Sequence, residues 1–113
     1  MSQSANGLIY REDGQVTGEF RNEYGRILAQ INLPSLNDVK VYAPDACIEF
    51  DSYGDLLGEY KIGDDSVLGP DELRLSLLNE FGAKVKIIAE VIKPLPSGLS
   101  KDGGTVVFPL PPH

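Results

Sequence analysis

Alternating apolar and polar residues run through much of the chain and predict β-strands. Ile27, Ala29, Ile31 and Leu33 occupy every second position of one run. The stretch 83–92 repeats this pattern, with lysines and a glutamate among the intervening residues. Successive side chains of a strand point to opposite faces, so each run is expected to form a strand with one buried face.

Turn residues separate these runs and predict antiparallel pairing. Asp13-Gly14 lies between the β-prone runs 8–12 and 15–20. An Asp-Gly pair suits the positive φ angles of a type I′ turn, so a hairpin is predicted here. Further short strands are expected over 39–43, 46–51, 55–62 and 105–108, between turns rich in glycine, proline and aspartate.

One segment, 70–81, has the features of a helix. Pro70 suits a first helical position, and Gly82 suits a terminator. Four apolar side chains would share one helical face, while Leu75 would project away from it. These four are Leu73, Leu77, Leu78 and Phe81.

Two stretches forty residues apart resemble each other without a gap. Residues 8–20 and 48–60 both carry an aromatic residue, a glycine four positions later and a closing Gly-Glu-aromatic triplet. The pattern predicts either a duplicated hairpin or two hairpins that are alike by chance.

These elements predict one α+β domain that is mostly β. The fold expected is a curled or barrel-like antiparallel sheet of about seven or eight short strands, with one helix at about 70–81 packed on it. The chain of 113 residues suits a single domain, assigned to 7–108. Residues 1–6 are expected to be a flexible N-terminus, and 109–113 a Pro-rich tail whose Pro109 and Pro112 match a Pro-x-x-Pro ligand or a stiff exit from the domain.

Charge narrows the classes of partner. The formal net charge is −7, and no window concentrates lysine and arginine, which argues against nucleic-acid binding through phosphate contacts. An acidic surface suits solubility, a cation or a basic protein partner. Cys47 is the single cysteine and lies in an apolar run, and no segment is apolar enough to span a bilayer. A cytoplasmic protein without membrane contact is expected, whereas the oligomeric state stays open.

The chain has few of the residue types that catalysis commonly uses, which favours a protein that is not an enzyme. His113 is the only histidine, so a Ser/His/Asp or Cys/His arrangement inside the domain is excluded, and one cysteine cannot make a zinc pair. No cofactor is expected.

Carboxylates provide the one candidate metal site. Asp64, Asp65, Asp71 and Glu72 surround the entrance of the predicted helix and offer oxygen ligands for calcium or magnesium. Their spacing does not match an EF-hand loop. A helix N-terminus also attracts carboxylates through its dipole, which explains the same residues without a metal.

Tyrosines recur in the predicted hairpins and provide the candidate partner-binding residues. These are Tyr10, Tyr24, Tyr53 and Tyr60. Tyrosines along strands either pack with the hydroxyl at the rim or form a recognition surface, and the sequence leaves both roles open.

Two family resemblances accompany this picture. The stretches 23–28 and 50–57 resemble units of tyrosine-aspartate hairpin repeats. The run 45–91 resembles the later half of HIRAN-type nucleic-acid-binding barrels, which implies two strands, a helix and a closing strand; this chain departs from that family in its strongly negative charge and in lacking the polar motif before the strand 46–50.

The function expected is a small acidic, non-catalytic binding or protein-interaction module, of the kind represented by inhibitors and immunity proteins. Two alternatives remain. One is a small carboxylate-based enzyme or divalent-cation-binding protein, and the other is a HIRAN-like nucleic-acid-binding barrel.

Overall fold

The computed structural model describes residues 3–109, and this region forms nine strands and two short 3₁₀ turns. The turns are Pro34–Leu36 and Tyr53–Asp55. The strands are β1 (Gln3–Glu12), β2 (Gln15–Asn22), β3 (Gly25–Asn32), β4 (Tyr42–Phe50), β5 (Gly58–Ile62), β6 (Val67–Leu68), β7 (Glu72–Leu78), β8 (Lys84–Glu90) and β9 (Thr105–Phe108).

Eight of these strands close into an antiparallel barrel. Their order around the barrel is β1-β2-β3-β9-β5-β7-β8-β4, and β4 returns to β1. The short β6 forms a hairpin with β7 and takes no part in closure. The prediction of a mostly-β, barrel-like antiparallel sheet is confirmed.

The barrel interior holds the hydrophobic core. Each of the eight barrel strands contributes buried apolar residues to it, mostly at alternate positions, as the polar-apolar alternation predicts. The largest fully buried side chains include Tyr60, Phe20 and Phe108. Leu36 and Leu95, from the connections outside the strands, are buried with them.

The first hairpin forms as predicted. Glu12 pairs with Gln15, and the two turn residues between them have positive φ, 51° at Asp13 and 81° at Gly14. Positive φ at both central positions is the type I′ geometry, whose twist matches that of the flanking strands.

The predicted helix at 70–81 is absent, and this part of the fold prediction was wrong. The segment forms β7, which pairs with β8 over seven residue pairs. Leu73, Leu75 and Leu77 are buried, whereas Leu78 and Phe81 are exposed. The period of two among these leucines therefore prevails over the helical spacing, since the neighbouring strand β8 offers a complete ladder of hydrogen bonds.

The stretch 39–51 contains one strand where two were predicted. β4 continues through Pro44-Asp45 as a bulge, because Gly7 pairs with Ala46 but Ile9 pairs with Ala43. Two residues of β4 thus oppose one residue of β1, and proline is tolerated where the ladder is interrupted.

The similar stretches 8–20 and 48–60 fold differently. The first is the β1–β2 hairpin, whereas the second runs from β4 through a 3₁₀ turn into β5. β4 pairs with β1 and β8, and β5 pairs with β9 and β7, so β4 and β5 are not neighbours. The second stretch is not a hairpin.

The first strand begins inside the segment that was predicted to be a flexible N-terminus. Residues 3–6, assigned to a flexible N-terminus, lie in β1, where Ala5 is buried and pairs with Ile48 of β4. Residues 1–2 of that segment, and 110–113 of the Pro-rich tail, lie outside the described residues.

Strand directions give the barrel two distinct ends. The β2–β3, β4–β5 and β7–β8 connections lie at one end, which we call the lower end. The β1–β2 turn and the remaining connections lie at the upper end. Within residues 3–109 there is no helix with the length and apolar character needed to cross a bilayer.

A candidate functional site at the barrel seam

A groove of about 1080 Å³ opens at the lower end, where β5 meets β7. We call it the seam groove. Its lining includes residues of the β4–β5 connection, of β5, and of the β7–β8 turn. The side chains used below are Asp55, Leu57, Glu59, Lys61, Leu78, Glu80 and Phe81.

The groove exists because β5 and β7 pair over a very short distance. β5 pairs with β9 through four residue pairs, from Gly58 to Lys61. It pairs with β7 only through Lys61–Leu78 and Ile62–Leu77. On its β7 side, the first half of β5 therefore has no neighbouring strand among residues 3–109.

The β7–β8 turn satisfies its own polar groups and leaves the groove uncovered. The Asn79 side-chain oxygen accepts hydrogen bonds from the backbone N–H groups of Phe81, at 3.0 Å, and Ala83, at 2.8 Å. The Gly82 N–H donates to the Asn79 carbonyl at 3.2 Å. This network fixes the backbone of the turn, while the Phe81 side chain remains 86% exposed.

The groove lining combines exposed apolar side chains with negative charge. Leu57 is 53% exposed and Leu78 is 48% exposed, beside Phe81. The charged lining residues are three carboxylates, Asp55, Glu59 and Glu80, and one ammonium, Lys61. Lys84 lies opposite Leu78 on β8 and is the next cation along the sheet.

Tyr60 forms part of the barrel core beneath this region. Its ring is fully buried and meets Phe108 edge to face, with centroids 5.5 Å apart. Its hydroxyl donates a hydrogen bond to the backbone carbonyl of Asp55, which lines the groove. Burial raises the pKa of Tyr60, and the nearby Asp55 carboxylate raises the pKa further, while a hydrogen bond with Asn79 acts in the opposite direction.

Two of the predicted partner-binding tyrosines lie together at the lower end. The rings of Tyr24 and Tyr53 meet edge to face, with centroids 6.0 Å apart, and Tyr53 packs on Phe50 at 4.9 Å. Tyr24 is 68% exposed. Gly54 and Asp55 follow Tyr53 directly and line the seam groove, so this aromatic pair flanks the groove.

The other two predicted tyrosines do not join that pair. Tyr60 is a core residue, as described above. Tyr10 lies on the outer face of β1, where its hydroxyl donates to the Glu19 carboxylate at 3.3 Å. Glu19 also forms an ion pair with Arg26 at 2.8 Å. Partial burial is the main cause that raises the pKa of Tyr10, and the Glu19 charge adds to the rise.

The predicted metal ligands lie at separate places. Asp64 and Asp65 belong to the turn after β5, close to Ser76, whose carbonyl accepts from the Gly63 N–H at 2.8 Å. Glu72 begins β7 and Asp71 precedes it. Glu72 is four residues from Ser76, which corresponds to about 13 Å at about 3.3 Å per residue. Within residues 3–109 no three acidic, histidine or cysteine side chains are grouped in a way that could hold a metal.

The structure also removes the helix entrance on which the metal site was predicted. Glu72 lies in β7, where its carboxylate forms an ion pair with Arg74 at 3.6 Å. The helix implied by the HIRAN resemblance is this same segment, so that part of the resemblance is not borne out either.

Sequence reasoning missed the residues that form the seam groove, Phe81 above all. The helical spacing predicts Phe81 on the packed face of a helix, whereas it is the most exposed large apolar residue of the described chain. Its position in the stretch Asn79-Glu80-Phe81-Gly82 was the available signal, because Asn and Gly favour turns and turns lie on the protein surface. Comparisons with family models, with curated proteins and with solved structures gave no match to this chain.

Proposed function

We propose that this protein is a non-catalytic interaction module that binds a basic protein partner in the seam groove. The observation that carries the proposal is the grouping of Phe81, Leu57 and Leu78, all exposed, with three carboxylates in one groove. The cytoplasmic location expected from the sequence remains part of this proposal.

The apolar part of the groove supports protein binding. Four of the seven large apolar residues exposed in the described chain lie at the lower end, in the groove or in the aromatic pair beside it. Exposed apolar groups that cluster in this way mark interaction sites, and aromatic side chains often contribute most of the binding free energy. Those four residues are Tyr24, Leu57, Leu78 and Phe81.

The charged part supports a basic partner. Asp55, Glu59 and Glu80 outnumber the single lining cation, Lys61, and the whole chain carries −7. Complementary charge accelerates association and selects among partners more than it adds affinity. The apolar residues would therefore provide affinity, and the carboxylates would favour basic proteins over acidic ones.

Site-specific photocrosslinking tests this proposal. A photoreactive phenylalanine analogue is placed at position 81 of the full chain in cells that make the protein. The matched control carries the analogue at Ile92, which is 63% exposed at the upper end. We expect a crosslink to a basic protein from position 81 and none to that protein from position 92.

The crosslinked partner is then purified and its affinity measured. Phe81→Ser should weaken binding at least about tenfold, as expected for an aromatic anchor. Ile92→Ser should leave binding unchanged, and added salt should slow association. Equal effects of the two substitutions, crosslinks only between copies of this chain, or an acidic partner would each refute the proposal.

A further inference from the structure

We infer that the partner enters the seam groove as an extended segment with alternating basic and apolar residues, and pairs with the free edge of β5 at Glu59. This inference rests on the proposed function and specifies how that groove recognises its partner. It follows from the direction of the backbone groups in β5, from the pattern of side chains on either side, and from the charge of the lining.

The hydrogen bonds of β5 show which of its backbone groups face the groove. The Ile62 N–H donates to the Gly104 carbonyl, on the β9 side, at 3.1 Å. The Gly63 N–H donates to the Ser76 carbonyl, on the β7 side, at 2.8 Å. Backbone groups alternate in direction along a strand, so the N–H and C=O of Glu59 point to the β7 side.

β7 does not reach these groups. The ladder between β5 and β7 ends at the pair Lys61–Leu78, two residues short of Glu59. Beyond Leu78 the chain enters the β7–β8 turn, where the Asn79 N–H donates to the Ala83 carbonyl at 3.1 Å. Among residues 3–109, no strand pairs with the N–H and C=O of Glu59 on the β7 side, where the seam groove opens. A strand edge with a free donor and acceptor is the arrangement used in β-strand addition.

Side chains beside this edge define the composition of the added segment. A residue paired with Glu59 would have its side chain on the same outer face as the Glu59 carboxylate, where a lysine or arginine forms a favourable cross-strand pair. The next residue would point to the opposite face of the added strand. An apolar side chain at that position would bury surface within the groove, whose lining includes the exposed side chains of Phe81 and Leu57. Alternation of basic and apolar residues satisfies both faces.

Charge argues against a second copy of this chain as the occupant. A copy carries −7 and would bring its own carboxylates to a groove that already holds three against one ammonium. Like charges placed together oppose association. Self-association is therefore an outcome that the experiment must detect and that would refute the inference.

Peptide selection followed by backbone modification tests the inference. Random peptides displayed on phage are selected on the folded full chain, with counter-selection on the Phe81→Ser variant. We expect selected sequences with alternating basic and apolar residues. Each selected peptide is then synthesised with single N-methyl groups along its backbone, because N-methylation removes one N–H donor and leaves the side chains unchanged. N-methylation at every second residue, where the N–H would face β5, should weaken binding at least about tenfold. N-methylation at the intervening residues, whose N–H groups would face away from β5, should have little effect.

Two substitutions at Glu59 test the same contact from the protein side. Glu59→Pro removes the N–H that faces the groove, at an edge position where a strand tolerates proline. Glu59→Ala keeps this N–H and loses only the carboxylate. We expect Glu59→Pro to weaken peptide binding at least tenfold more than Glu59→Ala does. Circular dichroism and melting temperature verify folding, and the N-methyl series decides the question if the proline variant does not fold.

The outcomes separate the two proposals. One outcome is that partner binding depends on Phe81 while the effect of N-methylation does not alternate along the peptide. This result would support the interaction module and refute strand addition. If selection gives no peptide, or gives peptides without basic residues, strand addition by a basic segment is also refuted. If neither a peptide nor a protein partner binds the groove, both proposals fail. Sedimentation of the free chain as a dimer that Phe81→Ser dissociates would identify a second copy as the occupant and overturn the inference.

Discussion

The buried hydroxyl of Tyr60 donates a hydrogen bond to the backbone carbonyl of Asp55. This contact joins the core of β5 to the connection that forms one wall of the seam groove. Tyr60 therefore serves as a positioning residue, because it fixes the backbone that carries Asp55 and the adjacent Tyr53 without facing a partner itself.

Tyr60→Phe should destabilise the fold by about 1–2 kcal/mol, since the Asp55 carbonyl loses a buried donor while the ring packing remains. Urea unfolding measures this change. Tyr24→Phe is the control, because Tyr24 is 68% exposed and its loss of a hydroxyl should change the unfolding free energy by less than about 0.5 kcal/mol. Equal stability of the Tyr60 variant and the wild type would show that the hydrogen bond contributes nothing.

The raised pKa of Tyr60 predicts a loss of stability in alkali. The folded state holds the phenolic proton more tightly than the unfolded state, in which the pKa is near the usual 10.0. The resulting stabilisation is complete below pH 10 and is lost as the pH rises towards the folded-state pKa. The free-energy gap between wild type and Tyr60→Phe should therefore shrink from pH 9 to pH 11 in urea unfolding. A constant gap would contradict the raised pKa.

Two leucines of β7 distinguish the strand from the helix that the sequence predicted. Leu75 is 1% exposed, and Leu75→Ala should cost about 2–5 kcal/mol through lost burial and a cavity. Leu78 is 48% exposed, and Leu78→Ala should cost less than about 0.5 kcal/mol. A helix with the predicted stripe would reverse this order, so the ranking of the two melting temperatures decides between them.

Gly7 should not tolerate a side chain. A Cβ atom there would lie 1.8 Å from the carbonyl oxygen of Glu19 on β2, so backbone would have to move. Gly7→Ala should destabilise the barrel by at least about 3 kcal/mol or prevent folding. Gly54→Ala is the matched control, because its Cβ would meet only the Ser52 side chain at 3.7 Å, and its cost should stay within about 0.5 kcal/mol.

Hydrogen exchange checks the free edge of β5 without any partner. The amide of Glu59 faces the groove and should exchange rapidly, whereas the amide of Tyr60 faces Val106 on β9 and should exchange slowly. NMR exchange rates of these two neighbouring amides provide the comparison. Equal protection would mean that the Glu59 N–H is already bonded, and strand addition at this residue would lose its basis.

Much of the strand pattern could be predicted because its causes are local. Asp13-Gly14 specifies its turn through backbone sterics, and the alternation in 26–33 and 83–92 follows from the pleat of a strand. The helix prediction for 70–81 was wrong because the apolar residues of this segment fit both the period of two of a strand and the spacing of a helix. Leu73, Leu75 and Leu77 match a strand, while Leu73, Leu77, Leu78 and Phe81 match a helix, and only the presence of β8 decides.

The candidate site was far less predictable because it is non-local. Glu59 and Phe81 are separated by 22 positions and come together only through the short pairing of β5 with β7. The tyrosines were recognisable by type, but their roles depend on burial. Tyr60 is fully buried and Tyr24 is largely exposed, although each lies within two residues of a glycine.

The Asp13-Gly14 turn lies at the upper end of the barrel, away from the seam groove. A fluorophore or affinity tag introduced at this exposed turn would leave the groove and its surroundings unobstructed, since exposed loop tips are the sites where insertions are best tolerated. The protein can thus be immobilised on a sensor surface through its upper end, which leaves the lower end accessible for ligand binding.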